Sequence, residues 1–102
     1  MFEAVSARHD GEVVISLRGE LDVATEPAFR AELDAVVAAP CRVVVDMSDL
    51  EFMDSSGLST LVRARQQLLG EGGELVVRHP SGIVRRVLEV SGLTVLVEDP
   101  DA

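Results

Sequence analysis

Three consecutive valines at residues 43–45 restrict the fold of this chain more than any other feature of its sequence. An unbroken β-branched run, with no polar residue in the alternate positions, is typical of a strand that is covered on both faces. Crossover connections place helices over the faces of parallel sheets, so covered strands of this kind belong mainly to such sheets. The run therefore indicates a central strand in an α/β domain.

Helices are predicted on both sides of this strand and again near the carboxyl end. The first begins near Thr25 and ends at Pro40, because a capping residue opens the segment and a proline closes it. The second begins at Ser55 or Ser56, and the third begins at Ser81. Helical spacing predicts that these helices bury Phe29, Leu33, Val36, Val37, Leu58, Leu61, Val62, Leu68, Leu69, Ile83, Val84, Val87 and Leu88.

Four more strands are predicted around these helices. Residues 2–8 and 12–18 form a hairpin through a turn at His9–Gly11, and residues 75–77 and 94–97 are the two later strands. The order β-β-α-β-α-β-α-β predicts one α/β domain over all 102 residues, with a hairpin first. We expect a mostly parallel, mixed sheet of about five strands and about three helices.

Two polar loops follow strands in this order, at Gly19–Asp22 and at Asp46–Ser56. The carboxyl ends of parallel strands share one edge of a sheet, which is where α/β domains place their sites. We therefore expect the two loops to be neighbours.

Composition excludes several classes of function. All nine basic residues are arginine, and the absence of lysine excludes phosphate-loop NTPases and Schiff-base enzymes. A single cysteine, Cys41, excludes a disulfide framework, and two distant histidines argue against a histidine metal site. We predict no cofactor and no metal. A net charge of −9 argues against nucleic acid and anionic lipid as partners.

The charge is uneven along the chain. Residues 1–55 carry twelve acidic and four basic residues, whereas residues 56–102 carry six and five. The acidic half indicates either a surface for a basic partner or a solvated face. No apolar run reaches the length of a membrane span, and the amino terminus lacks the pattern of a signal peptide, so a cytoplasmic protein is expected.

The densest polar segment is residues 46–58, which contain four carboxylates and no basic residue. A metal site is one interpretation, but the spacing matches no calcium loop. Hydrolysis with Ser55 or Ser56 as nucleophile is another, although the Gly-x-Ser-x-Gly motif is absent and no histidine is near in sequence. A third is that Ser56 accepts a phosphate, since a helix start offers free N–H groups and a favourable dipole. Simple helix capping by Asp-Ser-Ser is the fourth.

The segment VVVDMSDLEFMDSSGLSTL at residues 43–61 resembles the signature of the STAS domain in bacterial anti-sigma-factor antagonists. In that family a hydrophobic strand ends in Asp, and a short loop leads to Asp-Ser-Ser/Thr-Gly at a helix start. The upstream RGELDVAT at residues 18–25 is similar to the Gly-Glu-Leu-Asp loop of the family, and IVRRVLEVSGL at residues 83–93 resembles its late helix. Members usually have a further helix after the last strand, and we expect this helix to be short or absent in this chain.

The resemblance implies a regulatory binding module that has no catalytic function. It implies that Ser56 is the phosphoacceptor and that the partner is an anti-sigma factor that is also a serine kinase. The unphosphorylated antagonist binds this partner and frees the sigma factor, the phosphorylated form lets go, and a serine phosphatase resets the switch. A monomer is expected for the free protein. The residues expected to contact the partner are Glu20, Asp22, Asp54, Ser55, Ser56 and Gly57.

Two alternatives stay open. A STAS domain can serve as a binding subunit of another assembly, such as a stress-signalling complex or a transporter accessory. A small serine hydrolase using Ser56 is the alternative from another class, and it would require a base such as His79 within hydrogen-bond reach of the hydroxyl.

Overall fold

The computed structural model describes residues 1–36 and 42–98. The predicted helix end at Pro40, the predicted buried position of Val37 and the single thiol of Cys41 lie outside these residues. The elements are β1 (Glu3–His9), β2 (Glu12–Leu21), α1 (Glu26–Val36), β3 (Arg42–Met53), α2 (Ser55–Gly70), β4 (Glu74–Arg78), α3 (Gly82–Val90) and a 3-10 turn at Thr94–Leu96.

The sheet has the strand order β1-β2-β3-β4. The first two strands are antiparallel, and the turn between them places Asp10 and Gly11 at φ 48° and 78°, which is the conformation that tight hairpins need. The β2–β3 and β3–β4 pairs are parallel. The predicted mixed α/β fold with an opening hairpin and three helices is therefore confirmed.

The prediction of polar loops at residues 19–22 and 46–56 is largely wrong, because β2 and β3 continue through most of these residues. The parallel pairing extends to the Leu21–Met53 pair, and Asp22 and Asp54 come directly after the two strand ends. Pairing between β2 and β3 shifts in register after Ser16 and again after Gly19. Burial in β2 nevertheless alternates regularly as far as Leu21, so this strand does carry a period-two pattern. In β3 the alternation breaks at residues 48–49 and 51–52, where two exposed residues adjoin, and this hides the end of β3 from a period-two search.

The prediction of a last strand at residues 94–97 is also wrong. Thr94–Leu96 forms a 3-10 turn that buries Leu96, so burial of this leucine outweighs the β-propensity of the segment. The chain reaches the edge of β4 only at Val97, which makes an isolated parallel bridge with Val77. The described sheet consequently has four strands where about five were expected.

The helical stripes lie slightly off their predicted positions. Leu69 and Ile83, both expected inside, are 50% and 52% exposed. The buried face of α2 includes small residues that were not predicted to be buried, and at Gly57 the start of this helix lies close to the sheet. The buried residues of α2 and α3 are Gly57, Thr60, Leu61, Ala64, Leu68, Val84 and Leu88.

The valine run of β3 is fully buried, as predicted. Val43 and Val45 belong to the main core, whereas Val44 projects from the opposite face of the strand, where it aligns with Val14 and Val76.

That second face carries a set of charged side chains that we term the outer ion-pair network. Within it, Arg42 contacts three glutamates, and Arg78 bonds Glu98 at 2.9 Å and approaches Glu12 at 3.8 Å. Because Arg78 on β4 reaches Glu12 on β2, the network crosses β3 above Val44. The members of the network are Glu12, Arg42, Glu74, Arg78 and Glu98.

Candidate functional site

Asp54 directly follows the last residue of β3 and caps α2. Its backbone is extended, with φ −111° and ψ −171°, and its Oδ1 accepts a 2.9 Å hydrogen bond from the backbone N–H of Ser56. The same oxygen accepts the Ser56 hydroxyl at 2.5 Å. The predicted helix start at Ser55 is confirmed, and the residue that caps it is the aspartate immediately before.

Hydrogen bonding keeps Asp54 charged. The Ser56 hydroxyl, followed by the backbone N–H groups of Ser56 and Gly57, holds the pKa of the Asp54 carboxyl below its ordinary value, although partial burial acts in the opposite direction. The hydroxyl of Ser56 is thus oriented by an ionised carboxylate at neutral pH. Ser56 is half-buried, whereas Ser55 is exposed.

Gly57 is buried because the start of α2 lies directly on the end of β2. A Cβ atom at this position would be 2.7 Å from Leu21 Cδ2 and 3.0 Å from Met53 Cγ. From the sequence, Gly57 was expected only to be one of the residues that contact the partner. Its packing role has no signal in the local sequence, since one of the two neighbouring side chains comes from another strand.

The turn between β2 and α1 adjoins the start of α2. The backbone N–H of Asp54 donates to the carbonyl of Leu21 at 3.1 Å, so the two segments predicted to be neighbours do lie together. These segments, residues 20–25 and 54–57, are termed the rim. All six residues predicted to contact a partner belong to it, and Glu20 and Ser55 are the exposed residues among these six.

Asp22 has a structural role that the sequence did not reveal. Its carboxylate accepts hydrogen bonds from the backbone N–H groups of Ala24 at 3.0 Å and Thr25 at 3.1 Å. The Thr25 hydroxyl in turn accepts the Asp22 N–H at 3.0 Å and donates to the Glu20 carbonyl at 2.8 Å. These bonds form a closed turn immediately before α1, so the acidic side chain is held in place.

The other acidic residues of the densest polar segment do not converge. Asp46, Asp49 and Glu51 follow one another along β3, with Asp49 opposite Arg18 in the register. In the two described ranges, no group of three or more acidic, histidine or cysteine side chains is arranged to hold a metal ion.

The hydrolase alternative needs a base at Ser56. The Ser56 hydroxyl donates to Asp54, while His79 lies in the turn between β4 and α3 with φ 57°. Among the hydrogen bonds of residues 1–36 and 42–98, none joins His79 to Ser56. The histidine named as the base for this alternative is therefore not the group that accepts the Ser56 hydroxyl.

Thr60 and Glu26 were missed by the sequence analysis. Thr60 lies in the buried stripe of α2, and its hydroxyl donates to Glu26 Oε2 at 2.6 Å. The only sequence signal is a threonine at a position whose helical spacing faces the core.

A family model described as Mlab, STAS domain, matches residues 5–98. The chain belongs to the STAS domain family. The resemblance seen in the sequence is thereby confirmed, and the rim lies in the part of the STAS domain that carries the Asp-Ser-Ser-Gly motif. Within the described parts of the chain, every helix is too short or too polar to cross a membrane.

Relatives of this STAS domain include named regulators. It is 36% identical over 87 residues to the anti-sigma F factor antagonist of Paenibacillus polymyxa, covering 83% of this chain and 74% of that protein. It is 34% identical over 88 residues to the anti-sigma-F factor antagonist RsfB of Mycobacterium tuberculosis, covering 85% and 71%.

Solved structures similar to this domain include both forms of one such protein. The anti-sigma factor antagonist SpoIIAA in its unphosphorylated form superposes with a TM-score of 0.81 at 29% identity, covering 97% of this chain and 87% of that one. The Bacillus cell fate determinant SpoIIAA in the phosphorylated form gives 0.74 at 28% identity, covering 97% and 90%. The comparison therefore includes a relative that exists with and without phosphate.

Proposed function

We propose that this STAS domain is an anti-sigma factor antagonist that binds its anti-sigma factor through the rim. The observation that carries the proposal is the placement of Ser56, whose hydroxyl is oriented by Asp54 in the first turn of α2, beside the Glu20–Thr25 turn. Relatives named as anti-sigma factor antagonists support the same function. The domain acts by binding and has no catalytic function of its own.

Phosphorylation of Ser56 by the partner is the proposed switch. The Ser56 oxygen attacks the γ-phosphorus of ATP, ADP leaves, and the hydroxyl proton passes to a base. Asp54 orients the hydroxyl from 2.5 Å. The product carries about −1.5 to −2 charges at neutral pH, next to a carboxylate that already caps the helix. The bond from the Ser56 hydroxyl to Asp54 is lost in the product, because the oxygen no longer has a proton to donate.

The added phosphate weakens the complex because the contact covers Ser56. A partner packed over the rim must desolvate the phosphate or move away from it, and both cost free energy unless a cation pairs with the new charge. A loss of about 3 kcal/mol lowers affinity roughly a hundredfold, which is sufficient for an on/off response. A serine phosphatase then restores the binding form.

The partner surface is proposed to be basic. Glu20 on the rim and Glu51 near the end of β3 are exposed, and Asp22 and Asp54 are half-buried beside them. Opposite charge on the partner would speed association and fix the orientation of the complex.

The test is to mix the protein with candidate kinase anti-sigma factors and ATP, and to locate phosphate by mass spectrometry while binding is followed in parallel. We expect phosphate on Ser56 and loss of the complex as it accumulates. The matched control is Ser55→Ala, which leaves the acceptor in place. A stable complex that forms equally well with phosphorylated protein would favour the alternative of a constitutive binding subunit.

A further inference from the structure

Thr60 is a buried polar residue in a stripe of α2 that otherwise faces the apolar core. It is 4% exposed, and its hydroxyl lies 2.6 Å from Oε2 of Glu26, the first residue of α1. A buried hydroxyl needs a partner, and a carboxylate acceptor makes the bond stronger than a neutral one does. This bond therefore joins the starts of two helices through side chains.

The bond to Glu26 also decides what Thr60 does within its own helix. A threonine in a helix ordinarily donates to the carbonyl four residues earlier, which bends the helix slightly. That carbonyl belongs to Ser56 and is 3.2 Å from the Thr60 hydroxyl, against 2.6 Å for Glu26. The single hydroxyl proton is drawn to the nearer, charged acceptor. Glu26 thus weakens the hydrogen bond from the Thr60 hydroxyl to the Ser56 carbonyl, so this bond does not bend the first turn of α2 at Ser56.

Glu26 is in turn held from the other side of the rim. Its backbone N–H donates to the Asp22 carbonyl at 2.8 Å, and Arg30 lies 3.7 Å from the same carboxylate oxygen that Thr60 contacts. The side chain of Glu26 is 13% exposed, so its charge is partly shielded from water. Glu26 consequently connects the Asp22 turn, through its backbone N–H, to Thr60 of α2, through its carboxylate.

We propose that Thr60 and Glu26 are positioning residues that keep the two segments of the rim in register, so that the partner meets Ser56 and the Asp22 turn as one surface. This inference rests on the proposed function of the rim. A backbone bond from Asp54 to Leu21 joins the segments at the strand ends, and the Thr60–Glu26 bond joins the helices α1 and α2 just beyond them. Two separated links resist a rotation that one link allows.

A buried hydrogen bond also stabilises any fold, so a matched control is needed. Ser6 provides it, because its hydroxyl donates to Oε2 of Glu32 and joins β1 to α1 without contacting either segment of the rim. Ser6→Ala and Thr60→Val each remove one hydroxyl-to-glutamate bond that is made by α1. Thr60→Ser keeps the hydroxyl and serves as the rescue.

The first arm uses the free protein and requires no partner. Amide hydrogen exchange of Ser56 and Leu58 is measured by NMR in the wild type and in the three variants. We expect Thr60→Val to speed exchange at these amides by roughly fivefold beyond any global change, whereas Ser6→Ala and Thr60→Ser leave them near the wild-type value. Equal effects of Thr60→Val and Ser6→Ala at these amides would overturn the inference.

The second arm uses a kinase anti-sigma factor that binds and phosphorylates the wild-type protein. We expect Thr60→Val to lower both affinity and the kcat/KM for phosphorylation by roughly three- to tenfold, below the hundredfold that a displacement of about 1 Å costs. Glu26→Ala should do the same, because Thr60 is then free to donate to the Ser56 carbonyl. Kinetics unchanged in Thr60→Val overturn the inference even if stability falls. If no such kinase acts on the wild type, it is the proposed function that fails, and the first arm still decides on the positioning role.

Discussion

One carboxylate oxygen of Asp54 holds Ser56 at two atoms, its backbone nitrogen at 2.9 Å and its hydroxyl oxygen at 2.5 Å. The helix cap and the proposed phosphoacceptor therefore share a single acceptor. The proposed phosphorylation would remove the hydroxyl proton and add about −1.5 to −2 charges beside the cap, so the helix start and the partner contact would respond to the same event.

Substitutions at Ser56 should separate binding from its control. Ser56→Ala removes the acceptor without adding charge, so we expect it to bind the anti-sigma factor constitutively and to resist phosphorylation. Ser56→Asp adds one charge and should weaken binding by at least roughly tenfold while the domain stays folded. Titration calorimetry and thermal unfolding measure the two effects. Phosphate on Ser55 in the wild type would contradict the assignment, and Ser55→Ala is the control that must still be phosphorylated.

The cap itself should contribute stability that depends on pH. Asp54→Ala is expected to cost about 1 kcal/mol in the free energy of unfolding at pH 7. The pKa of Asp54 in the folded state lies below its ordinary value. The contribution is therefore fully present above about pH 4 and is lost as the pH falls through the folded-state pKa.

Urea denaturation of Asp54→Ala at neutral and acidic pH tests this directly. The difference from the wild type should shrink as the pH falls. Asp54→Asn keeps an acceptor oxygen but cannot titrate, so it should lose less stability than Asp54→Ala at pH 7. A difference that is constant with pH would show that the carboxylate charge is not what stabilises the helix start.

Val44 should tolerate no charge. It is fully buried near the start of β3, so Val44→Asp places an unpaired carboxylate in the interior and should cost about 3 kcal/mol or more. The matched control is Val5→Asp in β1, where the side chain is 59% exposed and little change is expected. Circular dichroism melting compares the two, and a cooperative wild-type-like transition in Val44→Asp would contradict the placement of the strand.

Arg42 should hold the outer ion-pair network together. Arg42→Met leaves Glu12, Glu74 and Glu98 without their shared cation, so we expect a loss of about 1–2 kcal/mol at pH 7. Hydrogen bonds from Arg42 and then Arg78 lower the pKa of Glu98, so this loss should fade as the pH falls below about 4.

The control for Arg42 is Arg18→Met, which breaks an exposed pair with Glu3 at 3.5 Å. Surface pairs of that kind contribute little, and a change within about 0.5 kcal/mol is expected. Equal losses in the two variants, measured by urea denaturation, would mean that the network is no more than a set of solvated charges.

Replacing Asp22 by asparagine should slow association with the partner more than it destabilises the fold. Asp22→Asn keeps an oxygen for the bonds from Ala24 and Thr25 while it removes the charge, so association should slow roughly threefold, with a smaller effect at high salt. Asp34→Asn, on the exposed face of α1, removes the same charge outside the rim and is the control. Stopped-flow association rates distinguish the two variants, and equal rates would make the acidic rim a solvated surface.

The sequence was sufficient for the hairpin, the helix starts and the position of Ser56, because each depends on local signals such as a turn, a cap or an apolar spacing. It was insufficient where distant parts of the chain decide the outcome. The strand ends at Leu21 and Met53 depend on a shifted register between two strands, and the turn at Thr94–Leu96 depends on the burial of Leu96. The bond from Thr60 to Glu26 spans 34 positions and has no local pattern at all.

The close approach at Gly57 also limits how this domain can diverge. A single methyl group there would overlap Leu21 Cδ2 at 2.7 Å, so either the buried Leu21 side chain or the helix start that carries Ser56 would have to shift. On the proposed function, exposed residues around Ser56 could change charge to suit a new partner, whereas added volume at position 57 would disturb the packing that places the serine. We therefore expect partner specificity to be tuned through surface charge rather than through the position of Ser56.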